Sequence, residues 1–485
     1  MLKIESWKNM SKRKIQFNNI EDTKLEGDKI IELKNSNEQY FIMNGKRKAY
    51  HILTYGCQMN EHDSEKISGM LESIGYEETD DEKNADLIIF NTCLIRENAE
   101  LKVFGKLGEV KGLKRKKPDM IVAICGCMMQ KEEIRDTVLK KYSFVDIIFG
   151  TNTIHELPGL IYNAEFNKNR SVNIIDNTEL IYENMPKNRK FKYKALVNIA
   201  YGCNNFCTYC VVPYVRGREK SREPQEIINE VKALSEDGCK EITLLGQNVN
   251  SYGSNLENKF TFAELLYELN KIDGIERIRF MTSHPKDLSN DLIFAIKDCK
   301  KVCNHVHLPV QSGSNEILNK MNRKYTKEHY LEIVRKLKEA IPDVAITTDI
   351  IVGFPGETEE DFMETVDVVK RVEYDSAFTF LYSMREGTIA AKMEDQIPDE
   401  IKHERFDRLL EVLYPIVLKR NEQCIGKVYP VLVESLSKTD INTLTGRTEH
   451  FRLVHFTGSE DLVGQIVNVK ITNVKTFHME GELEQ

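Results

Sequence analysis

Long apolar runs are missing from this sequence. No stretch approaches the roughly 20 apolar residues that a membrane-spanning helix requires, and the first residues, MLKIESWKNMSKRKIQ, lack the apolar core of a signal peptide. A hydrophobic content of 41% with 30% charged residues is instead typical of a soluble globular protein. We therefore expect a cytoplasmic protein that does not associate with a membrane.

An excess of positive charge is missing as well. The formal net charge of −8 argues mildly against a general nucleic-acid binder, since such proteins are usually basic. Local basic clusters can still contact phosphates. Two are present: Lys111, Lys114, Arg115, Lys116 and Lys117, and then Lys187, Arg189, Lys190, Lys192 and Lys194. Taken alone, each cluster favours a solvated loop or linker.

The length of 485 residues predicts about three domains, because one hydrophobic core does not grow this large. Residues 1–47 are polar and weakly periodic, which predicts a loosely ordered extension. Residues 48–152 alternate strand-like and helix-like segments, with strands in AYHILTYGC, ADLIIFNTC and MIVAICGC. This alternation predicts a parallel α/β domain. Residues 153–189 are predicted to be a connecting region with one possible strand, VNIID.

Residues 190–413 repeat the alternation with six strand-like segments, from KALVNIAYGC to SAFTFLYS. Six strands with intervening helices predict a full or partial (β/α) barrel, whose chemistry lies at the carboxyl ends of the strands. Residues 414–485 hold short strands separated by Gly, Ser and Asp, which predict a small β-barrel. Such barrels often bind oligonucleotides, and the alternative is a structural cap. The predicted fold class is α/β throughout the first two domains.

A fourth cysteine is missing from the stretch YGCNNFCTYC. Cys203, Cys207 and Cys210 form a CxxxCxxC pattern, and no histidine lies within thirty residues. A structural zinc site closes a tetrahedron with four ligands, whereas a 4Fe–4S cube held by three thiolates leaves one iron open. In a reducing compartment, clustered cysteines indicate metal or redox chemistry and not disulfides. The pattern therefore favours an open iron–sulfur cluster.

A second set of cysteines follows the strands of residues 48–152. Cys57, Cys93, and Cys125 with Cys127 each come at the end of one predicted strand. Ligand sites of open parallel sheets lie beyond the carboxyl ends of the strands, so these thiols are expected to converge. Four further cysteines have no ligand spacing and are predicted to be ordinary thiols: Cys239, Cys299, Cys303 and Cys424.

The CxxxCxxC pattern, with Tyr209 before its last cysteine and a barrel after it, resembles the radical S-adenosylmethionine superfamily. The resemblance implies that Cys203, Cys207 and Cys210 bind a catalytic 4Fe–4S cluster whose open iron is chelated by S-adenosylmethionine. Tyr209, Arg323 and Asp349 are predicted to contact the cofactor: Asp349 lies near a strand end, and the Arg323 guanidinium is well shaped for the cofactor carboxylate. Other polar residues near strand ends are candidates for contacts with cofactor, base or phosphate: Gln247, Asn248, Ser283, His284, Gln311, Ser312, Arg216 and Arg218.

The segments TYGCQMNEHDSE, NTCLIRENAELKVFGKLG and CGCMMQ resemble the amino-terminal domain of methylthiotransferases. That likeness implies an auxiliary 4Fe–4S cluster on Cys57, Cys93 and Cys127, with Cys125 left as a core thiol. LLGQNVNSYG, HLPVQSGS and TTDIIVGFPGETEEDF are similar to MiaB-type tRNA methylthiotransferases, and the last domain resembles a TRAM domain. Ser383–Thr388 depart from the common family sequence SPRPGT.

The resemblance implies insertion of a methylthio group at C2 of an N6-isopentenyladenosine beside the tRNA anticodon. One S-adenosylmethionine would supply the methyl group and a second the radical that removes the C2 hydrogen. The implied partners are this tRNA and a reductant protein, flavodoxin or ferredoxin. Two alternatives stay open: related enzymes act on threonylcarbamoyladenosine in tRNA or on a ribosomal-protein aspartate, and a non-catalytic metal-bound scaffold for RNA would carry similar cysteines.

Overall fold

The computed structural model describes residues 20–94, 97–175, 180–437, 440 and 442–484. Residues 1–19 of the predicted extension lie outside the described residues. Within the rest of the extension, Ile20–Asn44 form a helix. The expectation of loose order is therefore wrong over this range. Leu33 and Asn37 are fully buried, and the Asn37 amide donates to the Ile74 carbonyl at 2.8 Å. A few apolar positions on one side of a polar helix are enough to dock it.

The amino-terminal domain is built on a parallel sheet, whose order within the described residues is β2-β1-β3-β4-β5-β6. Its strands are β1 Lys48–Thr54, β2 Tyr76–Glu78, β3 Leu87–Thr92, β4 Ile121–Gly126, β5 Ile147–Phe149 and β6 Ser171–Asn173. β3 and β4 are buried along their whole length. Strands buried on both faces read as continuous apolar runs, and this is why LIIF and IVAIC were recognisable.

Helices cover both faces of this sheet. Besides Ile20–Asn44 they are Gln58–Ser73, Glu97–Lys116, Cys127–Gln130, Glu132–Lys141 and Leu157–Phe166. Leu157–Phe166 buries Leu157, Leu160 and Ile161 against the sheet, and β6 pairs with β5. Much of the predicted connecting region thus belongs to the amino-terminal domain, because its apolar residues complete the core on one face.

The central domain is a partial barrel of parallel strands, which confirms the predicted architecture. Its strands are β7 Lys194–Asn198, β10 Glu241–Leu245, β11 Arg277–Phe280, β12 His305–His307, β13 Ala345–Val352 and β14 Ser376–Leu381. They form the sheets β11-β10-β7 and β12-β13-β14, joined by a parallel bridge between Ile278 and Val302. The covering helices are Pro224–Glu236, Phe262–Asn270, Asn290–Asp298, Asn315–Lys320, Lys327–Ala340 and Glu359–Val372.

The carboxyl-terminal domain is a closed barrel of order β15-β16-β17-β19-β18. Its strands are β15 Val428–Leu436, β16 Thr443–Thr448, β17 Leu453–Thr457, β18 Ile466–Val474 and β19 Met479–Leu483. The predicted boundary at Tyr414 falls inside the helix Asp399–Glu422, so the strands begin later than the sequence indicated. Among the described residues, no helix is long and apolar enough to cross a membrane.

Two buried arginines of β11 dock the small barrel onto the central domain. Arg277 and Arg279 are 5% and 2% exposed, and β11 therefore carries charge where a strand normally carries apolar residues. Both guanidinium groups donate to backbone carbonyls of the small barrel at 2.6–2.9 Å. The accepting residues are Arg447, Pro430, Glu449 and Thr448. Charge-assisted hydrogen bonds of this kind fix the two domains against each other.

Candidate functional site

The amino-terminal cysteines lie at one edge of the sheet. β1, β3 and β4 are adjacent and parallel, and Cys57, Cys93 and Cys127 follow their carboxyl ends. Cys93 and Cys127 are buried and Cys57 is half-buried. Burial raises the pKa of Cys127 to about 11, Arg216 opposes the rise, and the charges of Cys93 and Cys57 add to it. The three sulfurs are therefore close enough to interact electrostatically, and Cys125 lies in the adjacent core.

Two glycines allow these loops to meet. Gly56 has φ 121°, and a Cβ there would lie 2.5 Å from the Cβ of Cys93 and 2.8 Å from its sulfur. Gly126 has φ 91°, and its Cβ would lie 2.3 Å from the Thr92 carbonyl oxygen. Neither distance is possible for a side chain, and the positive φ also favours glycine. The glycine that precedes Cys57 and the one that precedes Cys127 are thus required by the convergence of the loops.

A guanidinium from the central domain reaches this cysteine trio. Arg216 Nε donates to the Cys127 sulfur at 3.3 Å, and its Nη2 donates to Asn60 Oδ1 at 2.7 Å and Asp63 Oδ2 at 3.1 Å. The Asn60 amide in turn donates to the carbonyls of Tyr55 and Thr92, next to two of the cysteine loops. Because Arg216 follows Cys210 closely in sequence, it ties the second cysteine loop to the first site.

The second trio lies in the loop between two short antiparallel strands, β8 Ala200–Tyr201 and β9 Lys220–Ser221. A segment after the helix Asn315–Lys320 holds this loop. The Asn322 amide donates to the carbonyls of Asn205 and Phe206 at 3.2 and 3.0 Å, and Thr208 donates to the Lys320 carbonyl at 2.9 Å. The loop is therefore pre-shaped by protein contacts that do not use its cysteines.

Arg323 contacts the second trio as Arg216 contacts the first. Its Nη1 donates to the Cys207 sulfur at 3.4 Å, and its Nη2 donates to the Pro309 carbonyl at 3.0 Å. Burial raises the pKa of Cys203 to about 11 and that of Cys210 to about 12, with further contributions from the Cys207 charge. Cys203, Cys207 and Cys210 therefore form one group, next to a buried cation.

The spacing of the thiols distinguishes between a single metal ion and a larger cluster. Three thiolates on one zinc ion are about 3.8 Å apart, because each Zn–S bond is about 2.3 Å. Within the described residues, the only three His, Cys, Asp or Glu ligand atoms within 4.8 Å of one another belong to Asp343, Glu449 and His450. In neither trio, therefore, do all three sulfurs lie within 4.8 Å of one another. In a 4Fe–4S cube each thiolate binds a different iron, which suits the wider spacing.

Three buried side chains at the mouth of the central barrel each have one polar atom without a hydrogen-bond partner among the described residues. Asn248, Ser283 and His284 follow β10 and β11 and are buried, yet Asn248 Oδ1, Ser283 Oγ and His284 Nε2 have no hydrogen-bond partner in the described part of the chain. Buried polar atoms are normally satisfied, so such atoms indicate a missing ligand. Burial and the charge of Arg323 lower the pKa of His284 to about 2, so its imidazole is neutral.

The remaining predicted residues are placed as follows. Tyr209 packs edge-to-face on Phe354, with ring centroids 6.5 Å apart, beside the cysteine loop. Asp349 lies on β13, and its carboxylate is 3.4 Å from His307 Nε2. Gln247 reaches the amino-terminal domain, where its amide contacts the Met59 sulfur. Ser312 Oγ lies 3.4 Å from Thr365 Oγ1.

Comparison with known proteins agrees with this three-part architecture. Residues 197–369 match the Radical SAM superfamily, residues 49–150 match the Uncharacterized protein family UPF0004, and residues 422–483 match the TRAM domain. A solved radical S-adenosylmethionine methyltransferase from Kitasatospora setae has a TM-score of 0.53 at 15% identity, covering 71% of this chain and 77% of that chain. This likeness concerns the fold alone.

Curated relatives match nearly the whole chain. One from Thermoanaerobacter pseudethanolicus is 57% identical over 439 residues, which are 90% of this chain and 93% of the relative. Another from Alkaliphilus oremlandii is 56% identical over 476 residues, which are 98% of this chain and 100% of the relative. Both are named tRNA-2-methylthio-N(6)-dimethylallyladenosine synthase.

The barrel, the open three-cysteine loop at its mouth and the superfamily match together define a radical S-adenosylmethionine enzyme. At the identity and coverage of the curated relatives, the chain belongs to the family of tRNA-2-methylthio-N(6)-dimethylallyladenosine synthases, which are radical methylthiotransferases. The predicted family, α/β fold class, enzyme class and cofactors, S-adenosylmethionine and two 4Fe–4S clusters, are confirmed.

Sequence reasoning missed the place of Arg216. The sequence suggested a phosphate or the cofactor carboxylate as its partner, but its partners Cys127, Asn60 and Asp63 all lie in the amino-terminal domain. Their separation along the chain left no local pattern to read. Arg216 contacts these three residues only because the central domain packs against the amino-terminal domain.

Proposed function

We propose that the protein adds a methylthio group to C2 of N6-dimethylallyladenosine, the nucleoside written above as N6-isopentenyladenosine, next to the anticodon of a tRNA. The observation that carries the proposal is the Arg216 contact to Cys127, which links the loop of the second trio to the first trio. A methylthiotransferase needs such an arrangement, because the methylated sulfur and the substrate radical must meet. The names of the relatives support the substrate.

Each trio has a role in this proposal. Cys57, Cys93 and Cys127 hold the auxiliary cluster, and the second trio, Cys203, Cys207 and Cys210, holds the cluster that binds S-adenosylmethionine. When bound, the two groups supply the transferred sulfur and the hydrogen-abstracting radical, chemistry that no side chain provides. The protein's own part is to bind, orient and exclude water.

The proposed cofactor pocket uses the unpartnered polar atoms at the barrel mouth. Asn248, Ser283 and His284 offer one free acceptor or donor each, which suits the amino, carboxylate and ribose groups of S-adenosylmethionine. We assign Tyr209, in the second cysteine loop, and Asp349, on β13, to the same pocket. We assign Arg323 to the second cluster and not to the cofactor carboxylate, because its guanidinium already donates to the Cys207 sulfur and the Pro309 carbonyl.

The tRNA is proposed to reach the mouth past the small barrel. A cavity of about 200 Å³ between the two domains is lined by Phe378, Arg447, Phe451, Arg452 and Phe477. Phe378 and Phe477 are 52% and 67% exposed. Exposed rings suit stacked bases, and a base must leave its stack before its C2 can react.

The proposal includes a protein electron donor, flavodoxin or ferredoxin, because cofactor cleavage consumes an electron. It also places the reaction in the cytoplasm. All eleven cysteines are free thiols, which a reducing compartment preserves, and the proposed substrate is a tRNA.

The test is anaerobic reconstitution with iron and sulfide, followed by incubation with S-adenosylmethionine, a reductant and tRNA carrying N6-dimethylallyladenosine. Mass spectrometry of the nucleosides and of 5′-deoxyadenosine should find the 2-methylthio product. The Cys203→Ala/Cys207→Ala/Cys210→Ala variant should lose 5′-deoxyadenosine and keep the iron of the auxiliary site.

Parallel reactions distinguish the alternatives. Product only with tRNA that carries threonylcarbamoyladenosine, or only on a ribosomal-protein aspartate, would replace the proposed substrate and keep the enzyme class. A protein that holds both clusters but never forms 5′-deoxyadenosine would support the scaffold instead.

A further inference from the structure

Each cysteine trio has one buried guanidinium that donates to one of its sulfurs. Arg216 Nε is 3.3 Å from the Cys127 sulfur, and Arg323 Nη1 is 3.4 Å from the Cys207 sulfur. The two arginines are 7% and 5% exposed, so neither charge is screened by bulk water. A hydrogen-bond donor or cation next to a cluster thiolate stabilises the reduced, more negative state and raises the reduction potential.

The two guanidinium groups differ in their other partners. Arg216 also forms an ion pair with Asp63, whose carboxylate is 3.1 Å away and only 6% exposed. Arg323 donates to the Pro309 carbonyl and the Tyr325 hydroxyl, which are neutral. No carboxylate forms an ion pair with Arg323 in the described part of the chain. The sulfur distances are nearly equal, so the two sites differ chiefly in whether the cation is compensated.

Other charges near the trios do not reverse this difference. Glu219 and Lys286 act on Cys203 with opposite signs. Around Cys127, the charged groups with the largest effect are Arg216 and the other two thiols. Lys66, which is buried, also acts on Asp63, so the difference between the two trios rests on the direct ion pair of Arg216 with Asp63.

We propose that this asymmetry directs the electron: uncompensated Arg323 gives the second cluster the higher reduction potential, and Arg216 paired with Asp63 keeps the auxiliary cluster at a lower one. A single electron from the donor then reaches the cluster that cleaves S-adenosylmethionine and leaves the sulfur-carrying cluster oxidised. Arg216 and Arg323 act as positioning residues through the cluster ligands. This inference rests on the ligand assignment of the proposed function.

The experiment isolates each cluster in the full-length chain. The Cys203→Ala/Cys207→Ala/Cys210→Ala background keeps the auxiliary cluster, and the Cys57→Ala/Cys93→Ala/Cys127→Ala background keeps the other. Arg216→Met, Arg323→Met and Asp63→Asn are introduced into both. Each protein is titrated electrochemically without S-adenosylmethionine, and the reduced cluster is followed by its electron paramagnetic resonance signal.

Arg216→Met and Asp63→Asn are expected to shift the midpoint potential of the auxiliary cluster in opposite directions. Arg216→Met should move the auxiliary midpoint potential to a more negative value, and Asp63→Asn should move it to a more positive value, because the guanidinium loses its counter-charge. Arg323→Met should make only the second cluster more negative. Arg216→Lys keeps the charge and should shift the potential less than Arg216→Met. A purely structural role would lower iron content or thermal stability without this sign pattern.

A matched control lies in the same loop. Arg218 is exposed and its guanidinium lies over the Phe206 ring, 4.3 Å from the centroid, so Arg218→Met should leave both potentials unchanged. Equal potentials in the two parent backgrounds, or shifts of the same sign for Arg216→Met and Asp63→Asn, would overturn the inference and leave the proposed function standing. A background that binds no iron at its remaining trio would overturn both.

Discussion

Gly56 offers a direct test of how the auxiliary site is built. A Cβ at this position would lie 2.5 Å from the Cβ of Cys93, whereas non-bonded carbons approach to about 3.5 Å. Gly56→Ala must therefore move the loop that carries Cys57, or Cys93 itself, by about 1 Å. Ligand distances in a metal site tolerate only about 0.2 Å. We expect the auxiliary cluster to be lost.

The backbone adds a second cost. Gly56 has φ 121°, and holding a residue with a side chain in such a conformation costs about 1–3 kcal/mol. The close contact with Cys93 and the backbone strain both act on the short loop at Gly56, and the second trio is held by separate contacts. Gly56→Ala should therefore leave the second cluster and the folded barrel intact.

The assay is the iron and sulfide content of Gly56→Ala after anaerobic reconstitution in the Cys203→Ala/Cys207→Ala/Cys210→Ala background. Iron should fall from about four atoms per chain to nearly none. Gly112→Ala is the matched control, because Gly112 lies in the helix Glu97–Lys116 and a Cβ there meets no atom within 4 Å. If Gly56→Ala retains its iron, the close packing of Gly56 on Cys93 does not shape the site.

Three further predictions concern stability and tRNA. Arg279→Met should lower the free energy of unfolding in a guanidinium titration by about 3 kcal/mol, because it leaves the buried Glu241 carboxylate poorly paired. Burial lowers the pKa of His155 to about 4, so the neutral imidazole contributes to the free energy of unfolding above pH 6.5, and this contribution is lost as the pH falls. Between pH 7 and pH 5 the free energy of unfolding of the apoprotein should therefore fall by about 2 kcal/mol more than that of the His155→Phe variant. Lys470→Glu with Lys475→Glu, both exposed on the small barrel, should weaken tRNA binding and reduce its salt slope by about 1 per lost phosphate contact, with cofactor cleavage intact. Unchanged affinity in filter binding would remove the small barrel from the tRNA site.

The three-residue strands β2 and β5 were too short to be predicted from sequence. The strands β3 and β4 were predictable, because each is a continuous apolar run that ends in a turn. The helix Ile20–Asn44 was not, because its residues are mostly polar and only a few of them, such as Leu33, are buried. The helix Asp399–Glu422 continues past the predicted boundary at Tyr414 although Pro415 lies inside it, and a proline in a sequence normally indicates the end of a helix. Periodicity identifies an element by what it buries, so elements that bury little are easily missed.

The sequence by itself determined the chemistry of the protein. Cys203, Cys207 and Cys210, with no fourth ligand nearby, already indicated an open cluster, since the number of these thiols and their spacing along the chain are local properties. The choice of Cys57, Cys93 and Cys127 from the four strand-end cysteines came from the resemblance to methylthiotransferases. The tertiary structure decided how the sites are joined and charged. Arg216 meets Asp63 and Cys127 only because two domains pack together, and contacts between distant segments depend on the whole fold, which no local pattern of residues records.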